Sequence, residues 1–154
     1  MDNVKTESGR VKITFEDDTQ VSVMDHSKLI IDSYVYNADP SKSEMAMRFS
    51  SGTIRFATGR FNNKKNISIK TQSADVYVRG TEFSITTAPE TGSSLVILLP
   101  DKYGNPSGEI SVKTAMGEVI LNQAYQATTA MTYNQAPSKP VILDLTLELI
   151  DNML

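Results

Sequence analysis

Residues 69–85, Ile69-Lys70-Thr71-Gln72-Ser73-Ala74-Asp75-Val76-Tyr77-Val78-Arg79-Gly80-Thr81-Glu82-Phe83-Ser84-Ile85, decide the fold. Val76 and Val78, then Phe83 and Ile85 past a glycine, place apolar side chains at every second position. That is the period of a half-buried strand and not of a helix. Gly80 stands between Arg79 and Thr81, where a bend needing positive φ or a close backbone approach is easiest without a Cβ. Two short strands meeting at a corner are therefore expected.

The same period spreads outward from this stretch. Val11, Ile13 and Phe15 alternate with polar residues, Glu16-Asp17-Asp18-Thr19 supplies turn chemistry, and Val21 and Val23 resume, which reads as a hairpin. Met45, Met47 and Phe49, then Ser50-Ser51-Gly52, then Ile54 and Phe56 read as another hairpin, and Phe61 to Asn66 as a polar tip before Ile67 and Ile69. Leu29-Ile30-Ile31 and Leu95-Val96-Ile97-Leu98-Leu99 are apolar runs of strand length, suited to burial on both faces. Ile110-Ser111-Val112, Met116-Gly117 and Val119-Ile120-Leu121 make a further hairpin, and Tyr125 opens a last strand.

Turns thus recur about every ten residues, which predicts an all-β chain: stacked short hairpins forming a sandwich or β-solenoid-like domain over residues 9–130. Residues 131–140, rich in Thr, Asn, Gln and Pro, read as a linker. Residues 141–154 read as a C-terminal amphipathic arm. Leu143, Leu145, Leu147 and Leu149 alternate with Asp144, Thr146 and Glu148 in the period of a strand, while Leu145, Leu149 and Met153 also share a helical face. Those leucines must be buried somewhere, either by fold-back or on a neighbouring subunit.

At 154 residues, with 40% hydrophobic and 21% charged residues, the chain can bury a core without staples. The absence of cysteine excludes disulfides and thiolate metal sites. Net charge is −3 but segregated: residues 1–44 carry 5 Lys/Arg against 9 Asp/Glu, residues 45–79 carry 7 against 1, and residues 80–154 carry 3 against 8. A basic belt between acidic flanks suits a solvated face or a protein-docking patch. Nucleic acid is not expected as a partner, because near the Lys64-Lys65 pair Phe61 is the one stacking platform. No window approaches the roughly 20 apolar residues of a membrane span, and the N-terminus has no secretory apolar core, so no membrane contact is expected.

Ile69-x-Thr71-x-x-Ala74-x-Val76-x-Val78-Arg79-Gly80-Thr81-x-Phe83 resembles the central signature of the iron-dicitrate sensor (FecR) domain family, an all-β module of bacterial envelope signalling. The resemblance extends over roughly residues 9–130, through Phe49, Gly52, Ile54-Arg55-Phe56 and Gly59-Arg60. Departures are visible: Gln72 stands where the family commonly has Pro, Asp18 where a turn Gly is usual, and Pro100 to Gly108 where the family turns tightly. The resemblance implies that Thr71, Ala74, Val76, Val78, Gly80, Thr81 and Phe83 are fold determinants. Relatives carry an anti-sigma segment, a membrane helix and a further signalling domain, and this chain reads as the bare β-module.

For function, no catalytic constellation is found. His26 is the single histidine, and Gly-rich phosphate loops and calcium loops are missing. A non-enzymatic protein with no cofactor and no metal is expected, acting through protein partners. The main expectation is a structural or assembly subunit of a bacteriophage virion in its tail, baseplate or head–tail region, assembled in the host cytoplasm as a homo-oligomer or against neighbouring virion subunits. The alternative is an envelope signalling or ligand-sensing module of the FecR type, located in the periplasm. Candidate partner-binding residues are Leu143, Leu145, Leu147 and Leu149 of the arm, Tyr103 in the 100–108 loop, and Arg79 beside the corner.

Overall fold

The computed structural model describes residues 2–7, 9–14, 20–35, 44–57, 66–79, 82–100 and 108–143. Among them the strands are β1 (Asp2–Lys5), β2 (Val11–Thr14), β3 (Gln20–Val23), β4 (Lys28–Val35), β5 (Glu44–Ala57), β6 (Asn66–Lys70), β7 (Asp75–Arg79), β8 (Glu82–Thr87), β9 (Ser94–Leu99), β10 (Glu109–Thr114), β11 (Gly117–Leu121), β12 (Gln126–Ala130) and β13 (Val141–Ile142). All of them belong to one sheet that curls into two leaves. The first leaf runs β1-β4-β5-β6-β7-β10-β11, the second β2-β3-β5-β8-β9-β12-β13, and β5 belongs to both.

Register turns the alternation into continuous apolar rows. In the first leaf Ile31, Met47, Ile69, Val76, Val112 and Val119 stand opposite one another across six strands. In the second, Val21, Phe56, Phe83 and Leu98 do the same. Both rows point inward and join a single core. At its centre the Phe56 and Phe83 rings stack with centroids 5.2 Å apart and planes 8° from parallel, a pairing that adds about 0.5–1.5 kcal/mol to the burial of two large side chains.

The hairpin expected around Ser50-Ser51-Gly52 is instead one continuous 14-residue strand, β5. The sequence contains the reason: Met45, Met47 and Phe49 are odd-numbered, whereas Ile54 and Phe56 are even-numbered, and all five are buried. A regular strand would send one set to solvent. The register with β4 jumps from Leu29↔Phe49 to Lys28↔Ser51, so Ser50 is an extra residue. Gly52 then takes φ 98°, where a residue without a Cβ is favoured. The strand bends there and passes from one leaf to the other, keeping both apolar sets inside.

Ser27 fills the bend. Its Oγ accepts the Thr53 N–H at 3.0 Å, and a Cβ on Gly52 would lie 2.1 Å from that Oγ and 2.5 Å from the Ser27 Cα. β5 and β6 pair in parallel, and of the polar tip expected at 61–66 only Asn66 is among the described residues. Residues 69–85 form the two expected strands on either side of Gly80, with β7 in the first leaf and β8 in the second. Gly80 and Thr81 themselves lie outside the described residues.

Candidate functional site

Thr71 and Ala74 close the β6–β7 turn. The Thr71 N–H donates to the Ala74 carbonyl at 2.9 Å, and the Thr71 Oγ1 accepts the N–H groups of Ser73 and Ala74 at 3.3 and 3.1 Å. The turn is then tied to the opposite leaf. The Ser73 hydroxyl donates to Ser94 Oγ at 3.0 Å, Ser94 donates to Thr71 Oγ1 at 2.9 Å, and Thr87 Oγ1 lies 3.0 Å from Ser94 Oγ. Ser73, Ser94 and Thr87 are buried, and a buried hydroxyl needs such partners. This is a structural relay, and it gives the hydroxyl at 71 a defined role. Gln72, standing where the family commonly has Pro, lies over the β8–β9 turn: a Cβ on Gly92 would come within 2.5 Å of its Cδ.

On the outer side of the first leaf, Arg48, Phe49, Ser50, Lys70, Thr71 and Gln72 line an open cleft of about 280 Å³. Arg48 and Lys70 stand directly opposite each other on parallel neighbours, and both are exposed. The same outer row continues through Asp75 and Lys113 to Glu118. Asp75 accepts the Tyr133 hydroxyl at 3.1 Å. That hydrogen bond, reinforced by the carboxylate's charge, raises the Tyr133 pKa above the ordinary 10.0. The arrangement can bind and orient an anionic group, and it holds no nucleophile–base pair.

Of the partner-binding residues expected from sequence, Arg79 and Leu143 lie among the described residues, and they stand on different leaves. Arg79 is exposed at the end of β7, opposite Glu109 of β10. Leu143 is half-buried at the far edge of the second leaf, where its N–H donates to the Tyr125 carbonyl at 2.9 Å. Leu145, Leu147, Leu149 and Tyr103 lie outside the described residues. The stretch 131–140, assigned to a linker from sequence, bonds to both leaves. The Ala115 N–H donates to the Tyr133 carbonyl at 2.9 Å, the Ser138 N–H to the Thr129 carbonyl at 2.9 Å, and the Thr128 hydroxyl to the Ser138 carbonyl at 2.6 Å. His26 occupies an exposed turn with φ 55°.

Sequence reasoning missed Arg48 and Lys70 as a pair. The signal was present in their position, each a polar residue beside buried ones in an alternating strand, but their neighbourhood depends on a parallel pairing that sequence does not announce.

Set beside known proteins, this fold has a clear family. The family model for FecR protein matches residues 2–119, and the chain belongs to that family. Two crystal structures of a candidate anti-sigma factor from Parabacteroides distasonis share its fold at 16% sequence identity, with TM-scores of 0.67 and 0.68. The alignments cover 94% and 93% of this chain but 61% and 60% of theirs, so the chain spans about three fifths of the length of those structures. No curated protein matches it. FecR-type proteins are components of envelope signalling, and such regulators are in general not enzymes.

These findings overturn the expectation of a phage tail, baseplate or head–tail subunit, and with it the virion location. That expectation rested on segments not found in the sequence, and an absent segment carries no physical information about what a β-module binds. The resemblance at 69–85 was the sound guide.

Proposed function

We propose that the chain is a non-enzymatic interaction module of FecR-type signalling, working on the periplasmic side of the envelope by binding protein partners. Membership of the family over residues 2–119, from β1 into the middle of β11, carries this reading. The fold shared with a candidate anti-sigma factor supports it. A rigid two-leaf body suits such a role, because its outward side chains can be read by a partner without disturbing the core. The short edge strand β13, with Val141 and Ile142 exposed, offers a place for strand addition or self-association.

The test is made in the native bacterium. Removal of the coding region for residues 2–143 is expected to change transcription of a limited gene set, and fractionation is expected to recover the intact protein with the envelope or periplasm. Unchanged transcription together with recovery in the cytoplasm would overturn the reading.

A further inference from the structure

The charge pattern of the first leaf's outer face goes beyond the cleft. Lys5 of β1 stands directly opposite Lys28 of β4, and Arg48 of β5 directly opposite Lys70 of β6. Ile30 of β4 is the residue opposite Arg48, which puts Lys28 one step along the same face from the Arg48–Lys70 pair. All four cations are exposed, and they alternate with buried Thr6, Leu29, Met47, Phe49 and Ile69, so they share the outward side. Glu7 beyond Lys5 and Asp75 beyond Lys70 bound the patch. Two like-charge pairs in register repel each other, and a line of cations over a low-dielectric sheet concentrates positive potential.

We propose that this face, Lys5-Lys28-Arg48-Lys70 with the cleft at its β5–β6 end, is a docking surface for an acidic peptide segment of a partner protein. The occupant is indicated by size and chemistry. Four adjacent strands at 4.7–4.9 Å spacing spread the cations over about 14 Å, longer than one small anion and matched by an extended segment carrying several carboxylates. The cleft adds the Ser50 hydroxyl and the Gln72 amide, groups that bond a peptide backbone. A lipid surface fits less well: the exposed large hydrophobics among the described side chains are Val11, Tyr77, Met116, Met131, Tyr133, Val141 and Ile142, and none of these belongs to β1, β4, β5 or β6. The docking surface deepens the signalling reading by naming a partner's chemistry, but its assay reads binding directly, so either can fail without the other.

The experiment titrates the full chain with a capped hexapeptide of alternating Asp and Glu, and with its Asn/Gln counterpart, at 20 and 200 mM salt. Binding of the acidic peptide is expected, weakening with salt, with amide shifts at Ser50, Thr71 and Gln72 and none at Thr86 on the opposite leaf. Lys28→Glu with Lys70→Glu is expected to lower affinity at least tenfold, while Lys113→Glu, off the patch, changes it less than twofold. Equal binding of the neutral peptide, absence of binding, or affinity indifferent to the double substitution in a protein with an unchanged melting curve would overturn the proposal. So would salt-sensitive retention on phosphatidylglycerol vesicles without peptide binding, which would assign the face to a lipid surface.

Discussion

The two leaves have the same inside and different outsides. Inward, both carry continuous rows of Val, Ile, Phe, Leu and Met that meet in one core. Outward, the first leaf presents Lys5, Lys28, Arg48, Lys70, Asp75, Lys113 and Glu118, whereas the second presents Thr53, Arg55, Thr86, Leu95, Ile97 and Thr129. The difference teaches that stability and recognition are divided by strand parity. One residue in two is committed to the shared core, and its neighbour is free to set the charge of a face.

The sharpest way to break that comparison is from the inside. Phe83→Ala removes one ring of the central stack and is expected to cost about 3–5 kcal/mol, measured by denaturant unfolding; a loss under 1 kcal/mol would mean the two leaves do not share a core. Gly52→Ala strikes the bend that joins them. Its Cβ meets the Ser27 backbone and φ 98° disfavours it, so a loss of about 2–4 kcal/mol is expected. A neutral outcome would show that β5 does not bend at this glycine.

Thr71→Val tests the tie between the leaves at the hydroxyl relay. It strands the Ser73 and Ala74 N–H groups and takes one of three partners from the Ser94 hydroxyl, for an expected loss of about 1–3 kcal/mol. Thr71→Ser should recover most of that. On the outside the effects shrink and change sign. Lys28→Gln removes repulsion from Lys5 and is expected to stabilise by about 0.2–1 kcal/mol at low salt, an advantage that vanishes near 0.5 M salt; the same substitution losing stability at low salt would mean the pair is not repulsive.

The smallest effect concerns the Tyr133–Asp75 link. Because the hydrogen-bonded phenol holds its proton more tightly folded than unfolded, the link contributes fully below the ordinary tyrosine pKa of 10.0 and is lost as pH rises through the higher folded value. Ultraviolet titration is expected to show one tyrosine ionising late, and that late component should disappear in Asp75→Asn. Its persistence in that variant would assign the late ionisation to another tyrosine.

Much of this was legible in the chain. Val76, Val78, Phe83 and Ile85 announced strands on both sides of a corner, and Val21, Val23, Ile110 and Val112 announced their hairpins, because a period of two in apolar side chains is a local property. Legibility stopped at Ser50-Ser51-Gly52. Three turn-favouring residues between alternating runs look like a hairpin, and only the opposed parity of Phe49 and Ile54 hints that the strand carries on across a bulge. It stopped again at the candidate site, since Arg48 and Lys70 read as scattered members of a basic belt, and Lys5 and Lys28 as minor charges in an acidic segment.

The sequence by itself determined the all-β class, most of the apolar residues of the core and, through residues 69–85, the family. These follow from side-chain chemistry and spacing within a few residues of each other. Tertiary structure alone decided that β5 is one bent strand serving both leaves, that β6 returns parallel to it, and that four cations drawn from four strands form one face. Those outcomes depend on pairing between residues far apart in the chain, where the choice of neighbour is made by the fit of the whole core and not by any local preference.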